Sequence, residues 1–126
     1  MKSAARTFTI IGALSAALAV GMGAFGAHAL RQSLTARMLE IYQTAVLYHL
    51  VHSLGLLAVA FVCSLKPMAR MARAAGWMMA AGLIMFCGSL YLLALSGEKW
   101  LGAVTPMGGI AMLLAWLLLA LAVVRN

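Results

Sequence analysis

Three histidines are the residues of this chain whose type and spacing could support chemistry. His49 and His52 stand three positions apart, so they share one face of a helix, and His28 lies one predicted helix earlier. The neutral imidazole ring is the commonest transition-metal ligand in proteins. One interpretation is therefore that the three rings converge on a metal ion, a haem or another small ligand.

A second interpretation gives the same histidines a structural role. Polar side chains inside a membrane bond to one another across helices, at about 0.6–2 kcal/mol per bond. A protonation switch and a contact with a partner protein are two further possibilities. The sequence leaves these alternatives open. The candidate polar site comprises His28, His49, His52, Ser89, Tyr91 and Thr105.

The elements that must position these residues are four apolar stretches, at residues 7–30, 44–65, 74–96 and 107–124. Crossing the hydrocarbon layer takes about 20 apolar residues, so each stretch can span a membrane. Hydrophobic residues make up 66% of the chain, and 126 residues provide no outer layer that could bury four such helices in water. The sequence predicts an all-α, four-helix transmembrane bundle with antiparallel neighbours, forming a single domain over residues 1–126.

The charges indicate how the bundle is oriented. The nine basic residues lie at the ends of the apolar stretches and form no patch, so the net charge of +7 does not indicate nucleic-acid binding. Six of them fall at the termini and between the second and third stretches, and three fall at the other end. Because cytoplasmic loops carry the excess of Lys and Arg, we expect both termini in the cytoplasm.

This orientation predicts one polar layer. His49 and His52 fall in the outer half of the second apolar stretch, and His28 falls near the outer end of the first. The inner halves of the four stretches contain almost no polar side chain. All three histidines are therefore expected at one depth.

The first stretch also resembles a secretory signal. Basic residues, an apolar run and the small-x-small sequence Ala27-His28-Ala29 follow one another. The run is longer than the apolar core of about 7–15 residues in a signal peptide. We expect the first helix to be retained.

Small residues indicate where the helices approach one another, because close backbone packing is a main attraction between membrane helices. In the first helix they recur every three or four positions and so share one face. A glycine-rich ligand cradle is the alternative, but no phosphate-loop lysine follows. The residues expected at helix contacts are Gly12, Ala16, Ala19, Gly23, Gly26 and Gly88.

Local signals add three expectations. Thr105 and Pro106 predict the start of the fourth helix, with threonine as the cap and proline in the first helical position. Residues 31–43 are expected to form a brief amphipathic segment before the second helix. Cys63 and Cys87 are expected at depths too different for a disulfide bridge.

Enzymatic and transport functions lack their usual residues. The sequence has no pair of carboxylates within a predicted helix, no serine with a histidine–acid arrangement and no nucleotide-binding loop. It also has no charged residue inside an apolar stretch and no detectable internal repeat, which disfavours an ion-coupled transporter. We expect no enzymatic activity.

Short blocks of sequence carry a resemblance to a known family. They cover residues 23–30 (GAFGAHAL), 44–52 (TAVxYxxxH), 88–91 (GSLY) and 101–109 (LGAVTPMGG). These blocks resemble the domain-of-unknown-function 423 family of small membrane proteins, which includes YgdD-like and YwdK-like proteins and is related to transmembrane protein 256.

The resemblance implies four helices in the bacterial inner membrane. It implies no particular activity, because the family has none established. It directs attention to His28, His52, Tyr91 and Thr105, which lie in the blocks. Where this chain has His49, the family pattern has glutamine.

On these grounds we expect a non-enzymatic accessory or structural component of the membrane. Its partners would be the lipid bilayer and other membrane proteins or further copies of itself, with no nucleic acid and no resident cofactor. The alternative is a small-ligand, metal or haem site in the histidine layer.

Overall fold

The structure is a computed structural model that describes residues 1–125, so Asn126, the last residue of the expected domain, lies outside the described residues. The helices are α1 (Ser3–Phe25), α2 (Ala36–Leu65), α3 (Arg70–Ser96) and α4 (Thr105–Val124). A π-helical turn, Gly26–Leu30, extends α1, and a 3₁₀ helix, Lys99–Ala103, precedes α4. All four helices are long and apolar enough to cross a membrane, which confirms the predicted fold class.

The second helix begins earlier than the apolar pattern predicted. The hydroxyl of Thr35 accepts a hydrogen bond of 3.2 Å from the backbone N–H of Met38, which caps the first turn. Residues 36–43 therefore continue α2. For these residues the expectation of a separate amphipathic segment over 31–43 is wrong. The charged side chains of Arg37 and Glu40 interrupt the apolar pattern, so the pattern placed the start of the helix too late.

The start of α4 is partly as predicted. Pro106 lies in the first turn, where its missing N–H removes no helical hydrogen bond. Thr105, however, makes no capping hydrogen bond within the described chain. Its hydroxyl lies 2.6 Å from the hydroxyl of Ser89 on α3, so it joins two helices and the predicted threonine cap is wrong.

The helices pack in chain order, each antiparallel to the next. Contacts between α1 and α2 run from Gly12 against Leu57 to Gly26 against Tyr42, so residue numbers rise in one helix as they fall in the other. Helices α2 and α3 form the centre of the bundle, with α1 against α2 and α4 against α3. Because four antiparallel helices return the chain to its starting end, both termini lie at the same end of the bundle.

The core between the helices is apolar and contains both cysteines. Phe8 of α1 is 1% exposed and lies against Gly76 of α3, with its ring also edge-on to Trp77. Cys63 and Cys87 are buried, and both thiols are free, in agreement with the prediction of no bridge.

Small residues line the side of α1 that packs against α2. Gly12, Ala19 and Gly26 are buried there, and Ala16 and Gly23 lie half-buried at the edge of this side. An added Cβ at Gly12 would lie 3.0 Å from the carbonyl oxygen of Ser53, so the two backbones are close.

Gly88 does not belong with these residues. Within the described chain, no atom lies within 4 Å of a Cβ added at Gly88, so the expectation of a helix contact there is not met. The close approaches of α3 are instead at Gly76 and at Gly82, which packs against Gly108 of α4.

Replacing Gly26 with alanine is expected to lower the free energy of unfolding by about 1–3 kcal/mol. The new Cβ would overlap Cε1 of Tyr42. That ring is fully buried and its hydroxyl donates to the carbonyl oxygen of Met22 at 2.6 Å, so it cannot swing aside. Thermal unfolding in a mild detergent measures the loss. Gly21→Ala in the same helix, where the added Cβ meets no described atom within 4 Å, is the matched control; equal melting temperatures would contradict this packing.

Candidate functional site

His49 links three helices through the two nitrogens of its ring. The side chain is 3% exposed. Its Nδ1 lies 2.9 Å from the hydroxyl of Tyr91 on α3, and its Nε2 lies 3.1 Å from the hydroxyl of Ser15 on α1. Because no water competes for polar groups inside a membrane, these two bonds position α1 and α3 on α2.

The directions of these bonds follow from Ser53. Its hydroxyl donates to the carbonyl oxygen of His49 at 2.6 Å, which uses its single proton. Ser15, 2.6 Å from Ser53, must then be the donor in that pair, so Ser15 accepts from the Nε2–H of His49. Tyr91 has no other acceptor among residues 1–125 and donates to Nδ1. His49 is therefore the neutral Nε2–H tautomer.

His52 points to a different neighbour and is the opposite tautomer. The indole Nε1–H of Trp116 on α4, which can only donate, lies 3.1 Å from Nε2 of His52. Nδ1 of His52 lies 2.8 Å from the carbonyl oxygen of Tyr48, which can only accept, so Nδ1 carries the proton. The ring is thus neutral, and it joins α2 to α4 with both nitrogens engaged.

Replacing His52 with leucine is expected to move the indole N–H resonance of Trp116 in a ¹⁵N-resolved NMR spectrum, because the donor loses its acceptor. We expect a loss of stability of about 0.6–1.7 kcal/mol, the range for a hydrogen bond inside a membrane. Trp77 and Trp100 are 57% and 65% exposed and have no indole acceptor among residues 1–125, so their resonances serve as internal controls. A Trp116 resonance that stayed in place would contradict the bond.

Two further contacts between helices lie towards the end of the bundle opposite the termini. The hydroxyls of Ser89 and Thr105 join α3 to α4, and the hydroxyl of Ser89 also lies 2.9 Å from the carbonyl oxygen of Phe86. The ring of Tyr42 packs edge-on against the ring of Tyr91, with centroids 5.2 Å apart. The candidate residues Ser89, Tyr91 and Thr105 are therefore part of the contacts between helices.

His28 is separate from the other two histidines. It lies in the π-helical turn and is exposed. Ser15, which contacts His49, comes 13 residues earlier in α1, a distance of about 20 Å at 1.5 Å per residue. His49 and His52 are the 14th and 17th of the 30 residues of α2, near its middle. The expected single layer of three histidines is not formed.

The arrangement offers no evident set of metal ligands. No three His, Cys, Asp or Glu side chains among residues 1–125 come together in a way that could hold a metal ion. Binding of a metal or haem by His49 or His52 would require the ring to give up one of its present hydrogen bonds. Every buried side-chain nitrogen or oxygen in the described part of the chain has a hydrogen-bond partner. The geometry therefore favours the packing-network interpretation of the polar residues.

Sequence reasoning had not included Ser15, Ser53 and Trp116 in the site. Ser15 follows the same three- and four-residue spacing as Gly12 and Ala19, and Trp116 is the one residue with a polar group in the body of the fourth helix. Ser15 and Trp116 were therefore visible as polar groups on apolar helices, but the pairing of each with a particular histidine depends on how the helices are rotated.

Comparison with known proteins finds similarity over most of the chain. Residues 22–109 match a family described as a protein of unknown function, DUF423. The UPF0382 membrane protein YwdK of Bacillus subtilis is 42% identical over 120 residues, which cover 95% of this chain and 98% of the relative. A UPF0382 membrane protein of Staphylococcus saprophyticus is 40% identical over 116 residues, 92% of this chain and 95% of the relative. Another, of Staphylococcus epidermidis, is 40% identical over 120 residues, 95% and 97% of the two chains. No solved structure matches.

Proposed function

Because the chain belongs to the DUF423 family of membrane proteins, we propose that it is a non-enzymatic accessory component of the bacterial inner membrane that binds another membrane protein or a second copy of itself through α1. Both termini lie in the cytoplasm in this proposal, as the excess of Lys and Arg at that end of the bundle favours.

The observation that carries the proposal is an unoccupied row of small residues on α1. Ala13, Ala17, Gly21 and Ala24 follow one another at steps of three or four residues, and all are exposed. A Cβ added at Gly21 would meet no described atom within 4 Å. This row is distinct from the small residues that face α2.

Small residues at this spacing let two membrane helices approach until their backbones touch, which is where much of the attraction between such helices arises. The side of α1 that packs on α2 has small residues at this spacing. The exposed row on the outer face of α1 has the same spacing but contacts no helix in the described chain. Of the four spans, α1 also has the smallest share of buried residues. The outer face of α1 therefore suits a further helix.

The polar residues support a non-enzymatic role. Hydrogen bonds between or within helices engage both ring nitrogens of His49 and of His52. They also engage the hydroxyls of Ser15 and Ser53. An acid–base or nucleophilic site needs a group that is free to reach a substrate. Here the same groups hold the helices together.

Site-specific photocrosslinking in native membranes tests the proposal. A photoreactive residue at position 17 is expected to give a discrete protein adduct, with a second copy of the chain or with a different membrane protein. The same residue at position 117, where Leu117 is 60% exposed on α4, is the control for random encounters.

Gly21→Leu provides the decisive variant. The space at Gly21 is open, so leucine leaves the bundle's own packing intact while blocking the approach of another helix. The adduct at position 17 is expected to disappear and the melting temperature to stay unchanged. Adducts with lipid alone at both positions would refute the proposed role of α1.

A further inference from the structure

The end of the bundle that carries both termini is basic and has no acidic side chain. The two acidic residues of the chain, Glu40 and Glu98, lie near the start of α2 and between α3 and α4, at the opposite end. The basic residues at the end with the termini are Lys2, Arg6, Lys66, Arg70, Arg73 and Arg125. These cations therefore have no carboxylate side chain nearby to neutralise them.

Three of these cations line one cleft. The cleft has a volume of about 590 Å³ and lies between the α2–α3 connection and the end of α4. Lys66, Arg70 and Arg125 supply its charge, and Met71 and Ala122 form part of an apolar wall. Arg70 and Arg125 are exposed. A cationic opening beside an apolar wall is complementary to a molecule with an anionic head and a hydrocarbon chain.

Lys66 covers the negative pole at the end of α4, which would otherwise repel an anion in the cleft. Its Nζ donates to the carbonyl oxygens of Val123 at 2.9 Å and of Ala122 and Arg125 at 3.4 Å. The carbonyl groups at the end of a helix form its negative pole, and the ammonium group covers that pole in α4. The two arginines therefore line a cleft whose described lining residues include no acidic side chain, and whose helix-end carbonyl groups are bonded to Lys66.

We propose that this cleft binds the phosphate group of an anionic phospholipid. The cleft lies at the ends of the apolar helices, which is where a membrane-spanning bundle meets the lipid headgroups. Trp77 is exposed at the same end, as tryptophans at a membrane interface are. The two guanidinium groups contact the phosphate, and an acyl chain follows the apolar wall formed by Met71 and Ala122. Basic clefts between membrane helices bind lipid headgroups in this way.

Native mass spectrometry of the full chain in a neutral detergent tests the site. Dioleoylphosphatidylglycerol is the anionic probe, and dioleoylphosphatidylcholine, with the same chains and no net charge, is the reference. The wild-type protein is expected to retain the anionic lipid preferentially. Arg70→Gln combined with Arg125→Gln is expected to weaken that binding by roughly 10–30-fold, the combined effect of two cations near an anionic headgroup.

Arg31→Gln combined with Arg37→Gln is the matched control, because it removes the same charge from the opposite end of the bundle. Binding of the anionic lipid is expected to stay within about twofold of the wild type there. Equal losses in both double variants, or equal binding of the two lipids, would overturn the proposal. Displacement of the lipid by millimolar inorganic phosphate would also overturn it, since the site would then serve a soluble anion.

Discussion

Replacing Gly108 with alanine is expected to lower the free energy of unfolding by about 2–3 kcal/mol. The added Cβ would lie 2.5 Å from the backbone nitrogen of Phe86 and 2.9 Å from the carbonyl oxygen of Gly82, both on α3. Backbone atoms of a helix cannot rotate aside as a side chain can, so α3 and α4 would have to move apart. That movement weakens contacts along the whole length of the pair, where close packing supplies much of the attraction.

Equilibrium unfolding in mixed micelles of SDS and a mild detergent, followed by circular dichroism, measures this loss. Gly88→Ala is the matched control, since a Cβ there meets no described atom within 4 Å. Alanine favours a helix over glycine by up to about 1 kcal/mol, so the control is expected to be neutral or slightly stabilising. If the two substitutions had equal effects, the placement of α4 against α3 would be wrong.

The contrast between Gly88 and Gly108 shows how far the sequence could predict the packing. Glycines within apolar stretches indicate that some helix approaches closely, and the hydropathy pattern located all four helices. Neither signal says which side of α3 faces α4. That choice depends on the rotation of each helix, which is set by side chains such as Met112 that are distant in the chain and fit against Gly82.

The position of His49 and His52 along the second helix was predicted less well, because the hydropathy pattern misplaced the start of that helix. The apolar pattern started the second helix at Thr44, whereas Thr35 caps it and α2 begins at Ala36. The threonine was a recognisable cap, but hydropathy gives charged first turns no weight. Counting from the later start placed His49 and His52 nearer one end of the helix than they are.

The direction of the two rings could not be read from their spacing. Residues three apart on a helix differ by about 60° around its axis. On a helix with one neighbour, two side chains about 60° apart would face the same partner. Helix α2 is packed against α1 and α3 and also touches α4, so this difference in direction turns His49 towards Ser15 and Tyr91 and His52 towards Trp116.

Replacing His49 with leucine is expected to lower the free energy of unfolding by about 1–3 kcal/mol, the sum of two hydrogen bonds within the membrane. The hydroxyl of Tyr91 would lose its described acceptor, and Ser15 would lose a donor. His28→Leu is the control: His28 is exposed and has no hydrogen-bond partner among residues 1–125, so its loss is expected to leave stability unchanged. The same mixed-micelle unfolding measures both variants.

A double-mutant cycle with Tyr91→Phe separates the hydrogen bond from general packing. Phenylalanine keeps the ring that packs on Tyr42 and removes only the hydroxyl. If Tyr91 donates to Nδ1 of His49, the loss in the double variant should fall short of the sum of the single losses by about 0.6–1.7 kcal/mol. Additive losses would show that the two residues do not interact, and the tautomer assigned to His49 would lose its support. A measured coupling would instead show that His49 holds α3 against α2 and is engaged within the protein, as we propose.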